Sequence, residues 1–367
     1  MKQMLKLGWV GLFVWLVACS PQEKPAEVAV GLDSVMAAYP DFSGVVLVAQ
    51  RGQPVYVKSF GYRDFETQAL LDTATVFELA SVSKAFTAMI IMMLEEEGRL
   101  SYEDSVGKFI PALPYRGVTI RHLLNHTSGL PDYQAVMDQH WDKSQVASNE
   151  DNIAYLIQYH PEKNFNPGEK YEYSNTGYML LASIAEKASG QDFLQLLQDR
   201  IFSPLRMSMT RVRTKTEKDK LPNMAWGHIW VEERGTFVKA DSFPAFNYTI
   251  WLGNRKGPGR ISSTARDMLR WDRALYGTQL VSEETLTEAF SPAKLNDGTS
   301  SFYGFGWDLE QDSTLGKVVR HSGDNPGYKT HFIRFLDRDY TVIVLCNNAH
   351  DKFDEIVNRL TTQIRMK

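Results

Sequence analysis

The sequence predicts an α+β fold: an antiparallel sheet flanked by helices, with a helical insertion between the strands of the two chain ends. Three observations predict it. Short runs rich in β-branched and aromatic residues lie near both ends, at Val45–Ala49 and Val55–Phe60 and again at Val318–Ser322, His331–Leu336 and Thr341–Leu345. Helical patterns fill the middle. One of them, Ala85–Leu94, is apolar on every side, which marks a helix buried all round. Strands at the ends and helices between them make one mixed domain closed by its two termini.

Taken in order, Lys2 and Lys6 open the chain and Leu7–Val17 follows as an apolar run. A bilayer span needs roughly 20 residues, whereas the apolar part of a secretory signal has about 7–15. The run ends in Leu16-Val17-Ala18-Cys19, which resembles the bacterial lipobox. Residues 1–18 are therefore expected to be a lipoprotein signal peptide, with Cys19 carrying a lipid that ties the chain to the membrane. An uncleaved anchor helix is the other reading. Ser20 is unlike the inner-membrane retention signal of Gram-negative lipoproteins, so the expectation is the cell envelope, with the outer membrane favoured. Residues 19–30 read as a tether with two prolines and mixed charge, and regular structure is expected from Gly31. Residues 31–367 then form one domain, its sheet part about 31–76 and 260–367 and its helical part about 77–259.

Gln50–Gln53 reads as the turn of a hairpin. The central helix should run from Ser81 to Glu97, stopped by Gly98. Further helices are expected at Ile120–Leu124, Asp151–Tyr159, Thr176–Ala188 (stopped by Gly190), Asp192–Ile201, Ser263–Leu275, Glu283–Phe290 and Lys352–Arg365. Tyr133–Glu150 and Trp226–Trp251 read as loops. Cys346 lies in an apolar run and reads as a small buried hydrophobe.

With 43% hydrophobic residues, a net charge of −4 and no basic stripe, the chain can build a sizeable core, and nucleic acid is not an expected partner. No phosphate loop or dinucleotide fingerprint occurs, so no cofactor is expected. His122 and His126 are four apart, but Leu123 stands where a zinc-protease helix needs glutamate, so no metal site is expected. No Gly-x-Ser-x-Gly elbow occurs either.

Three short motifs carry chemistry. In Ser81-Val82-Ser83-Lys84 the serine and lysine share one helix face. A serine hydroxyl needs a base, and a lysine freed of its charge by burial can be one. Ser105-Val106-Gly107-Lys108 and Ser291-Pro292-Ala293-Lys294 have the same spacing. Ser105 lies in a charged, loop-like stretch and Pro292 breaks the helix, so only Ser81 heads a long buried helix. Tyr173-Ser174-Asn175 offers a phenol for proton transfer and an amide for orienting; taken alone it reads as a helix N-cap. His321-Ser322-Gly323 ends a strand; taken alone it reads as a surface histidine.

Their order, Ser-x-x-Lys, Tyr-x-Asn, His-x-Gly, resembles that of the serine β-lactamases and penicillin-binding proteins, on the class C, esterase and D-aminopeptidase branch. Thr119–Pro131, Asn166-Pro167-Gly168, Ser262–Asp267 and Tyr303–Trp307 are similar to other segments of that family. The resemblance implies a β-lactamase/transpeptidase-like fold and a small-molecule or peptide substrate. It makes Ser81 the acylated nucleophile and gives Lys84 and Tyr173 the acid and base work between them. Asn175 would face the acyl side, His321 and Gly323 would line the opposite strand, and the backbone N–H groups of Ser81 and Asp324 would form the oxyanion hole. One departure stands out: class C enzymes carry lysine where this chain has His321, which fits esterases and aminopeptidases better. Arg260 stands where relatives often have a glycine and either shapes the pocket or faces solvent. The expected activity is hydrolysis of an ester or amide; a sensor on the same fold that acylates without turnover is the alternative. Nothing in the sequence indicates an oligomeric state.

Overall fold

The computed structural model describes residues 25–366, so the expected signal peptide, Cys19 and the first part of the tether lie outside the described residues. The rest of the tether expectation is corrected: a helix, α1, spans Pro25–Met36. Val28, Leu32, Val35 and Met36 recur at helical spacing and are buried. Prolines and charges had masked an apolar stripe that belongs to the core.

The strands β1 (Gly44–Gln50) and β2 (Gln53–Phe60) form the expected hairpin, turning through Arg51 and Gly52 at positive φ. The chain then leaves the sheet for a helical region that includes α2 (Ser83–Glu96), α3 (Asn175–Ser189) and α4 (Ala265–Ala274). It returns as β3 (Asp308–Asp312), β4 (Gly316–Asn325), β5 (Tyr328–Phe335) and β6 (Tyr340–Cys346), and closes with α5 (Phe353–Arg365). These strands make one six-stranded sheet in the order β3-β4-β5-β6-β1-β2, every neighbour antiparallel. Gly44 of β1 faces Cys346 of β6, and Gln50 faces Tyr340.

Successive side chains of β1 point to opposite faces. Val45, Leu47 and Ala49 join a core with α2, α3 and α4, while Val46 and Val48 join a second core with α1 and α5. Both faces are covered, so β6 is buried along its whole length; this is why the strands read as continuous apolar runs rather than as alternation. Cys346 is buried and free, and burial lifts its thiol to about 11.

The central helix forms as a tight turn, Ala80–Val82, followed by α2, in which Ser83 to Leu94 are all buried. Gly98, at φ 67°, follows its end. Several boundaries differ from expectation. Ser263 lies in a short strand, Ile261–Ser263, paired with Phe77–Glu78, and Thr264 caps α4. The helix expected over Asp192–Ile201 is α-helical only at Phe193–Leu197 and widens into a π-helical turn over Gln198–Phe202. Tyr133–His140, expected as loop, is a helix capped by Asp132. The 226–251 stretch contains a small hairpin, His228–Val231 with Thr236–Lys239. Ser105 is not in a loop: it caps a one-turn helix, Val106–Phe109.

Candidate active site

Ser81 sits in a turn between Phe77–Glu78 and α2. Ala80, just before it, is left-handed at φ 49°, a conformation that costs a non-glycine residue about 1–3 kcal/mol. Neighbours hold it there. The Leu79 N–H donates to the Ile261 carbonyl at 2.8 Å, and the Leu79 carbonyl accepts from Thr330 Oγ1 at 2.8 Å. β4 presses on the same turn: a Cβ on Gly323 would lie 2.4 Å from the Leu79 carbonyl oxygen and 3.0 Å from Ala80 Cβ. Gly323 is therefore needed for the strand to approach the Ser81 turn, before any substrate is considered.

Lys84, one helical turn on, is fully buried. Its Nζ lies 3.1 Å from Ser81 Oγ, 2.8 Å from Asn175 Oδ1 and 2.9 Å from the Pro258 carbonyl oxygen. Among the described residues no carboxylate pairs with it. Burial, with the Arg255 guanidinium as a second cause, holds its pKa well below the usual lysine range. A neutral amine has two N–H donors and one lone pair. The Asn175 and Pro258 oxygens take the two donors, and the lone pair is left for the Ser81 hydroxyl.

Tyr173 and Asn175 arrive from the start of α3. Ser174 caps that helix by accepting from the Gly177 N–H, so the helix-cap reading of this motif is true of Ser174 and leaves its two neighbours free to face Lys84. Lys84 Nζ is 4.7 Å from the Tyr173 ring centre. Tyr173 is 40% exposed as a residue, yet its hydroxyl is hydrogen-bonded to Ser81 and desolvated. That burial pushes the phenol above its ordinary value; its hydrogen bond to Ser81 works in the opposite direction. The neutral phenol is thus the favoured form here. Beneath Tyr173 lies the His126 ring, 4.3 Å away, fully buried, with Nε2 lacking a partner. His122 spends its Nδ1 on Thr119 at its own helix start, so the two histidines do not converge.

His321 is not a surface residue: it is 2% exposed. Its Nδ1 is 2.6 Å from the Ser322 carbonyl oxygen, which can only accept, so Nδ1 carries the proton. Nε2 then accepts from the Tyr303 hydroxyl at 2.8 Å. Burial, reinforced by Lys84, lowers its pKa to about 3, so the ring is neutral at physiological pH. Asp324 follows Gly323 near the end of β4, opposite Lys329.

The other two Ser-x-x-Lys matches assemble nothing of this kind. Lys108 pairs with Asp104 at the surface, and Ser291 Oγ bonds back to the Thr287 carbonyl. Sequence reasoning missed the Pro258 carbonyl, Arg255 and the role of Tyr303 as partner of His321. A backbone oxygen leaves no side-chain signal, and nothing local marked Arg255. Arg260 does not face solvent; it is 5% exposed. In the 226–251 stretch, Trp251 is core and Trp230 is 51% exposed.

The Beta-lactamase family model matches residues 32–365. Penicillin-binding protein 4* of Bacillus subtilis (strain 168) is 42% identical over 311 residues, covering 84% of this chain and 69% of that protein. A D-aminopeptidase of Gluconobacter oxydans (strain 621H) is 25% identical over 324 residues, covering 88% of this chain but only 59% of its own length. The chain thus spans less than two thirds of that relative. Among solved structures, a penicillin binding protein from Bacillus halodurans superposes with a TM-score of 0.77 at 26% identity, covering 90% of this chain and 98% of that one. From the match along nearly its whole described length, this chain belongs to the Beta-lactamase family.

Proposed function

We propose that this chain is an exported serine hydrolase that cleaves an ester or amide through an acyl-Ser81 intermediate. The observation that carries the proposal is a fully buried lysine, free of any carboxylate partner among the described residues, 3.1 Å from Ser81 Oγ. Neutral Lys84 accepts the Ser81 proton as Oγ attacks the substrate carbonyl. The developing oxyanion is met by the backbone N–H groups of Ser81 and Asp324. Tyr173, held as a neutral phenol, gives a proton to the leaving group and is reprotonated from the Lys84 ammonium. Water then adds to the acyl carbon, yielding its proton to Lys84, and Ser81 leaves with a proton restored. Asn175 keeps Lys84 aimed and contacts the substrate acyl side. Neutral His321, in place of the lysine of class C relatives, supports esters and amides without a free carboxylate at that strand.

The test uses the described domain with a fluorophosphonate probe and a chromogenic short-chain ester, read by intact mass and absorbance. We expect labelling and steady turnover, with Ser81→Ala lowering turnover by about 10⁴-fold or more and losing the label. Labelling without turnover would convert the reading into an acylating sensor. A Ser81→Ala protein that labels like wild type would sink it.

Localisation is proposed from the lipobox-like Leu16-Val17-Ala18-Cys19. Full-length Cys19→Ser, expressed in a Gram-negative host, should move from the membrane to the soluble fraction; retention in the membrane would point to an uncleaved anchor.

A further inference from the structure

His126 has no part in the proton transfers proposed above, yet it lies under a residue that does. It follows the helix Ile120–Leu124 by two residues and is fully buried. It holds a left-handed backbone at φ 58° although it is not glycine, which is strained. Its ring centre is 4.3 Å from that of Tyr173, 4.6 Å from Tyr303 and 5.0 Å from Tyr178.

Two bonds tie His126 to the segment that carries Tyr173. The Glu172 N–H donates to the His126 carbonyl oxygen at 2.9 Å, and the Ser174 N–H donates to His126 Nδ1 at 3.0 Å. One residue thus grips the chain on both sides of Tyr173. The second bond sets the tautomer: Nδ1 accepts, so the proton is on Nε2. That Nε2 has no hydrogen-bond partner among the described residues, and a buried N–H without one is costly. Burial, with Lys84 and His321 as further causes, holds His126 well below the usual histidine range, so the ring is neutral. A proton on Nδ1 would set one N–H against the other and break the bond to Ser174. Among the natural side chains only imidazole combines a lone pair one bond beyond Cγ with a flat ring on which Tyr173 can lie. The next links lead to the site: Ser174 Oγ caps α3, and Asn175, the first residue of that helix, accepts from Lys84. A shift at 172–174 would carry both Tyr173 and Asn175 away from Lys84.

We infer that His126 is a positioning residue: by gripping Glu172 and Ser174 it fixes the stretch that presents Tyr173 and Asn175 to Ser81 and Lys84. It acts through those two side chains and not on the substrate. The inference rests on the hydrolase reading and deepens it, because the hydroxyl so held is the one that protonates the leaving group. The demand on His126 therefore depends on what leaves. A nitrophenolate departs without a proton, whereas an alkoxide needs one.

The experiment compares ethyl butyrate with p-nitrophenyl butyrate, which share an acyl group and differ in leaving group. His126→Gly removes the acceptor, and glycine accepts φ 58° without strain. His126→Asn restores an acceptor, because the amide oxygen also lies one bond beyond Cγ, and asparagine tolerates a left-handed backbone. In His126→Gly, kcat/KM for the ethyl ester should fall about tenfold further than for the nitrophenyl ester, and for the ethyl ester kcat rather than KM should carry the loss. His126→Asn should recover most of it. Equal losses for the two esters, or an asparagine variant no better than the glycine variant, overturn the inference. Hydrogen exchange at the Ser174 amide reads the same bond without a substrate. It should be as slow as inside α3 in the wild type and in His126→Asn, and about tenfold or more faster in His126→Gly. Fast exchange in the wild type overturns the inference even if the glycine variant does not fold. If the exchange pattern appears but neither ester is turned over in a Ser81-dependent way, the hydrolase reading falls and the grip of His126 on 172–175 stands.

Discussion

Lys84 and Lys218 are both buried beside the Ser81 turn, yet they meet opposite surroundings. Lys218 lies against the Glu78 carboxylate. Among the described residues, Lys84 meets neutral oxygens, from Asn175, Pro258 and Ser81, and neutral rings, from Tyr173 and Tyr178. Burial lowers the pKa of both. A carboxylate in contact would bind the proton within the pair and leave no free lone pair, whereas amide and carbonyl oxygens orient the amine without ionising it. The difference teaches what a lysine base requires: desolvation together with the absence of a counter-ion. A cationic neighbour helps further, and Arg255 has that effect on Lys84.

Three measurements break or sharpen this contrast. The largest effect should come from Lys84→Ala, with kcat/KM for the ester falling about a thousandfold, as expected when a positioned base is removed. Near-normal turnover in that variant would move the base elsewhere. A smaller effect, and a sharper one, should follow Asn175→Asp, which gives Lys84 the carboxylate it now lacks. The active form is the neutral amine, so kcat/KM rises with pH through the Lys84 pKa and is lost as pH falls below it. An adjacent carboxylate raises that pKa, and the acid limb should move up by about 1–3 pH units. A limb that stays put would mean that Lys84 does not control it. The smallest effect is expected from His321→Gln. With His321 lowered to about 3, the acid limb set by Lys84 should remain where it is in wild type; a displaced limb would show that the histidine titrates with the reaction.

How much of this was legible before the structure depended on how local the cause was. The β1–β2 hairpin, the fully apolar α2 and the stop of α3 at Gly190 (φ 75°) are set by neighbours in sequence, and they formed within a few residues of expectation. Ser81 could be separated from Ser105 and Ser291 because only one of the three heads a buried helix. The misses have non-local causes. The α1 helix exists because its apolar stripe meets α5 and the sheet, contacts that a proline-bearing segment does not advertise. The helix at Tyr133–His140 packs its buried Tyr133 against Arg255, whose Nη1 donates to the Tyr133 hydroxyl at 2.6 Å. The need for glycine at 323 comes from Leu79 and Ala80, more than two hundred residues away.

The pairing of β1 with β6, Gly44 against Cys346, has a kinetic consequence. The strand next to the β2 edge of the sheet is made first, and one of its partners last. Loop-closure entropy must be met before that contact returns anything. During synthesis, β1 and β2 can form a hairpin early, but one edge of β1 stays open until the final strand emerges. Removing α5 and β6 would leave that edge permanently unpaired, a ready template for aggregation. Ser81 would then stand in a half-built molecule, with neither Gly323 nor Thr330 fixed against its turn, so reactivity at the serine should develop only in the last stage of folding.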